Sequence, residues 1–139
     1  MTKTIRYINS EIMTMAAKLT YSIADQAPST ELELFNSTSL VVWSGQSDNT
    51  IYQDATVNHA FRAIHDAVHI ETGLGFSPQD EIEMGRIQAA KLASQCKSLL
   101  ADLFYCEIAE QASYYEKNGV FIPNQVEFTQ KYINLGVSK

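Results

Sequence analysis

The stretch Thr56-Val57-Asn58-His59-Ala60-Phe61-Arg62-Ala63-Ile64-His65-Asp66-Ala67-Val68-His69-Ile70-Glu71-Thr72 decides how the rest of this 139-residue chain is read. At about 100° per residue, His59, Arg62, His65, Asp66 and His69 share one arc about 120° wide. Ala60, Phe61, Ala63, Ile64, Ala67, Val68 and Ile70 fill the remainder. The spacing predicts an amphipathic helix over 56–72, stopped by Gly73 and Gly75.

Working outward, Ile8, Ile12, Met15, Leu19 and Ile23 step at helical spacing and predict a helix over 8–25, with Ser10 as its cap and Pro28 marking the exit. Ser, Thr, Asn and Gln then accumulate. Leu40-Val41-Val42-Trp43 reads as a short strand, Ser44 to Asn49 as a turn, and Thr50-Ile51-Tyr52 as a returning strand. Downstream of the central helix, Ser77-Pro78-Gln79-Asp80 carries a cap, a proline suited to the first helical position and a capping-box acid. With no strong breaker before Asn118-Gly119, the sequence predicts one very long helix bent near Gly85, then a closing helix over 124–134. The expected fold is mainly α: a single-domain helical bundle, 1–139, of about four helices with a short β-hairpin or extended segment around 38–53.

Composition narrows the function classes. Hydrophobic residues at 45% and charged residues at 19% suit a globular core. A net charge of −6 offers no large phosphate-neutralising surface, so nucleic acid is not an expected partner. No segment has the ~18 apolar residues of a membrane span, and Met1 to Asn9 lack the apolar run of an export signal. Cys96 and Cys106, ten apart on the expected long helix, are too distant along it for a disulfide and read as two reduced core thiols, pointing to the cytoplasm.

All three histidines of the chain lie on the arc of the central helix. A solvated face normally carries Lys, Glu and Gln; this one carries imidazoles, a carboxylate and a guanidinium, and the opposite arc is apolar. One reading is a solvent-facing arc; the other is an arc facing a pocket. In the second, His65 and His69, one turn apart, have the spacing of two imidazoles on one divalent ion, with His59 as a further candidate ligand. Zinc, manganese or iron suits such donors. Asp66 is placed to ligate, to orient an imidazole or to act as a base, and Arg62 to hold a phosphate or carboxylate.

The expected long helix has a core stripe of Ile82, Ala89, Ala93, Cys96, Leu100, Leu103 and Phe104, continued by Glu107 and Gln111, with Arg86 near its start. Glu107 is either a buried bridge to Arg62 or Arg86, or a ligand or general base opposite the histidines. Arg86 and Gln111 join Arg62 as candidate ligand-binding residues. Gly73-Leu74-Gly75 before a capped helix is a loose anion-site candidate. Ser44-Gly45-Gln46-Ser47 lacks the strand–Ser–helix setting of a serine hydrolase.

Asn58-His59-Ala60-Phe61-Arg62-Ala63-Ile64-His65-Asp66-Ala67-Val68-His69, Phe76-Ser77, the Glu107, Gln111, Tyr114-Tyr115 pattern and Pro123-Asn124-Gln125 together resemble small proteins of tailed bacteriophages, over about residues 40–130. That resemblance implies a viral protein acting in the host cytoplasm. The His65-Asp66 pair also looks like the core of the all-helical HD-domain metal phosphohydrolases. Those enzymes add an upstream His and a downstream Asp, where this chain offers His59, seven residues before Asp66, and His69.

Two functional classes follow. One is a metal-dependent hydrolase of a phosphorylated or nucleotide-like small molecule: His59, His65 and His69 hold the ion, Arg62 the anion, and Asp66 or Glu107 is the base. The other is a non-catalytic phage protein that binds a host protein or sequesters a host nucleotide signal. Whether the chain forms a homo-oligomer stays open.

Overall fold

The computed structural model describes residues 1–26, 31–36 and 39–137. It is mainly helical with one small two-stranded sheet, in agreement with the expected class. The chain divides into two compact units, Met1–Gly73 and Leu74–Lys139. Among the described residues, no helix is long and apolar enough to cross a membrane.

In the first unit, helix α1 spans Lys3–Ala16, earlier than the expected 8–25. Thr2 rather than Ser10 caps it, its hydroxyl accepting the Ile5 N–H at 3.1 Å. Ile5, Ile8, Ile12 and Ala16 form the buried stripe. Beyond Ala17 the chain leaves the helix, and Ile23 lies in strand β1, Tyr21–Ala24; Pro28 lies outside the described residues.

Strand β2, Leu40–Trp43, is where the sequence puts it, but its partner is β1 and the pairing is parallel, Tyr21 opposite Leu40 and Ala24 opposite Trp43. The expected hairpin is thus replaced by a β–α–β connection through the short helix α2, Glu31–Phe35. Thr50-Ile51-Tyr52 is a turn whose apolar residues are buried. Asn9 of α1 donates to the Tyr52 carbonyl at 2.9 Å, tying the turn to the first helix. Helix α3, Ala55–Thr72, matches expectation: Asp54 caps its start and Gly73, at φ 74°, ends it in the left-handed region.

In the second unit, helix α4 spans Pro78–Ser94, with the Ser77 hydroxyl accepting the Asp80 N–H at 3.1 Å. The expected long helix does not continue. It breaks at Gln95–Lys97, where Cys96 takes φ 61°, and resumes as α5, Ser98–Tyr105. The main chain then widens into a π-helical turn, Cys106–Glu110, before α6, Gln111–Asn118. Helix α7, Gln125–Val137, starts with the Asn124 side chain accepting the Glu127 N–H at 3.0 Å.

The break changes the expected core stripe. Met84, Gly85, Gln88 and Leu92 are the buried face of α4, whereas Ala93 and Cys96 are exposed. Only Cys106 is a core thiol. Gly85 is a packing position rather than a bend: a Cβ there would stand 2.6 Å from the Ala109 Cβ and 2.9 Å from the Ala109 nitrogen. The glycine lets α4 seat directly against the π-helical turn.

Candidate functional site

The polar arc of α3 is not a solvated face. His59, Arg62, His65 and Asp66 are half-buried, and His69 is only 1% exposed. The arc divides into two parts with different partners.

The N-terminal part grips the chain leaving β2. Arg62 Nη1 donates to the Trp43 carbonyl at 2.7 Å and to the Gly45 carbonyl at 2.5 Å. Its guanidinium carbon sits 5.1 Å from the Trp43 ring centroid, a cation–π arrangement. His59 Nε2 meets the Ser44 carbonyl at 3.3 Å. The buried Asn58 donates to Ser47 Oγ at 3.0 Å, and Ser47 in turn donates to the Gly45 carbonyl at 3.3 Å. Successive turns of one helix thus satisfy carbonyls and a hydroxyl at the end of β2 and in the loop that follows it. Burial pulls the Arg62 guanidinium below its ordinary value, and the nearby Asp66 carboxylate opposes that.

The C-terminal part is an imidazole pair. His65 and His69 bring their Nε2 atoms to 3.0 Å, with ring centroids 4.5 Å apart and planes at 77°. Two imidazoles at that separation either share one proton or direct two lone pairs at a common cation. Tetrahedral zinc with bonds of about 2.0–2.1 Å places its two nitrogens roughly 3.3–3.4 Å apart. Parting the rings by a few tenths of an ångström reaches that spacing. His59, by contrast, is directed at a backbone carbonyl, which sets it apart from the pair.

The second unit holds the other sequence-derived candidates. Glu107 stands on the π-helical turn, and its carboxylate accepts from Thr129 Oγ1 at 2.6 Å and from Gln111 Nε2 at 3.0 Å. Burial pushes its carboxyl up from the ordinary range, while those two donors work the other way. Arg86 is exposed and holds Glu83 through Nε and Nη2 at 3.0 and 2.6 Å, so the buried Arg86–Glu107 bridge is not made. Gln111 supports Glu107 rather than standing apart as a ligand donor. The Gly75 N–H of the loop before α4 is taken by the Asp80 carboxylate at 2.9 Å, which supplies from within the chain the anion that loop suggested.

Sequence reasoning missed Asn58, Ser47 and Trp43, because their roles depend on which loop α3 packs against. Hydrophobic periodicity carries no signal for that choice. Compared with family models, with curated proteins and with solved structures, the chain matches none.

Proposed function

We propose that this chain is a divalent-metal protein whose ion lies between the Nε2 atoms of His65 and His69, and that it hydrolyses a phosphorylated or nucleotide-like small molecule. The observation that carries the reading is the mutual approach of those two atoms at 3.0 Å from adjacent turns, one ring being fully buried. Imidazole donors favour zinc or iron over calcium or magnesium, and manganese would need additional oxygen ligands. Such an ion supplies Lewis-acid polarisation of a phosphoryl oxygen and activates water. With such an ion held by His65 and His69, Asp66 on the same arc would be placed to accept a proton and Arg62 to hold the anion. The resemblance of residues 40–130 to small bacteriophage proteins is what supports setting this activity in an infected host.

The test is elemental analysis of untagged protein purified without chelator, beside His65→Ala and His69→Ala. Near-stoichiometric zinc, manganese or iron, lost in both variants, supports the site and leads to phosphatase and nucleotidase assays. Wild-type protein that is folded by circular dichroism, metal-free and unable to take up these ions on dialysis refutes it.

A further inference from the structure

Trp43 is the only tryptophan in the chain and remains 42% exposed although its backbone and ring are both contacted by neighbours. Its carbonyl is held by Arg62, its ring lies beneath the guanidinium, and its six-membered edge packs over Gly45. A Cβ at Gly45 would stand 2.1–2.9 Å from three of its ring atoms, so only glycine lets the ring lie there. The indole is therefore a partly exposed aromatic ring held by contacts to Arg62 and Gly45. Stacking on it costs little of the rotamer entropy that immobilising a loose side chain would.

Arg62 adds a second, independent observation. Both of its carbonyl bonds use Nη1. Among the described residues, its Nε and Nη2 make no hydrogen bond, although the group is half-buried. That edge is the fork that takes two oxygens of a phosphate or carboxylate. Along α3, Arg62 precedes His65 by three residues and His69 by seven, about 4.5 and 10.5 Å of helix. The aromatic ring thus adjoins the guanidinium, and the imidazole pair follows Arg62 along the same helix.

We infer that Trp43 and Arg62 form a mononucleotide site, the base stacking on the exposed indole and the phosphate meeting the Nε–Nη2 edge of Arg62. This inference rests on the proposed hydrolase and names its substrate class as a nucleoside phosphate. A sugar phosphate lacks the flat group, and a free nucleoside lacks the anion.

Trp43 emission gives the test directly in the intact chain. Adenosine and guanosine monophosphates, adenosine, guanosine, ribose 5-phosphate and inorganic phosphate are titrated in turn, with and without zinc. The expected result is saturable quenching by the nucleotides, weaker binding of the nucleosides, and displacement of nucleotide by ribose 5-phosphate without quenching. Trp43→Leu, followed by calorimetry, should weaken nucleotide binding by about 5- to 160-fold, the range expected for one lost base–aromatic stack. Arg62→Lys should bring nucleotide affinity down to that of the nucleoside. Absence of saturable quenching at millimolar nucleotide overturns the inference, as does unchanged affinity in folded Trp43→Leu protein. Because nucleoside stacking needs no ion, quenching that persists in metal-free His65→Ala protein upholds the stacking site even where the metal reading fails.

Discussion

Replacing Gly85 by alanine tests whether α4 and the π-helical turn are held by direct main-chain contact. On an exposed helix this change gains about 1 kcal/mol, because alanine loses less backbone entropy. Here the new methyl would meet the Ala109 Cβ at 2.6 Å, its nitrogen at 2.9 Å and its Cα at 3.2 Å. Two of those three atoms are backbone and cannot swing aside. The two segments must part by several tenths of an ångström, which forfeits dispersion along the whole contact. Because two of the three atoms are backbone, the upper half of the overpacking range applies, about 2–3 kcal/mol, and after the propensity gain a net loss of about 1–2 kcal/mol is expected. Urea denaturation followed by far-ultraviolet circular dichroism reads this as a lower midpoint at unchanged slope. Ala90→Gly on the exposed side of α4 is the control, with a loss of about 1 kcal/mol from propensity alone. Ala109→Gly in the Gly85→Ala background removes the methyl–methyl contact but keeps the contact with nitrogen, so it restores only part of the loss. A Gly85→Ala protein as stable as wild type, or more so, would refute the reasoning.

Two further outcomes follow from the second unit. Native protein should take up one equivalent of iodoacetamide, at exposed Cys96, because burial holds the Cys106 thiol protonated with a pKa of about 12; mass spectrometry after denaturation should show two. Two adducts formed rapidly in the native state would contradict the packing of the π-helical turn. Glu107 has its folded pKa raised, so the folded state binds the extra proton; its favourable contribution is complete below the unfolded value near 4.5 and falls away as pH rises through the folded value. Glu107→Gln, which keeps an acceptor for Thr129, should therefore gain stability relative to wild type as urea midpoints are compared from pH 4.5 to 7.5, and a flat difference would exclude the linkage.

What could be read from the sequence was whatever local chemistry decides. Ser77-Pro78, Asn124 and Gly73 mark helix ends through groups within a few residues of one another, and the structure uses them so. The first helix went astray because Met15, Leu19 and Ile23 keep helical spacing, while the residues that take Ile23 into a strand are Leu40 to Trp43, far along the chain. The break at Cys96 has no glycine or proline to announce it, and an L-residue at φ 61° is a conformation no propensity suggests. The π-helical turn is equally silent in sequence: its sign is Gly85, twenty-four residues before the alanine it accommodates.

The candidate site was half legible, and the reason is an ambiguity in what a polar arc means. Imidazoles and a guanidinium on one side of α3 can serve ligands, or they can satisfy carbonyls where a strand runs out into a loop. The structure assigns His59 and Arg62 Nη1 to the second task, through Ser44, Trp43 and Gly45. His65 and His69 bring their Nε2 atoms to 3.0 Å of each other. A test of the division is that Arg62→Met should redden Trp43 emission and lower stability by about 1–2 kcal/mol, the loss of a partly exposed charged donor to two carbonyls, while leaving bound metal unchanged. Metal lost together with the loop would mean that the two halves of the arc are one site, with Arg62 positioning the imidazoles rather than the loop.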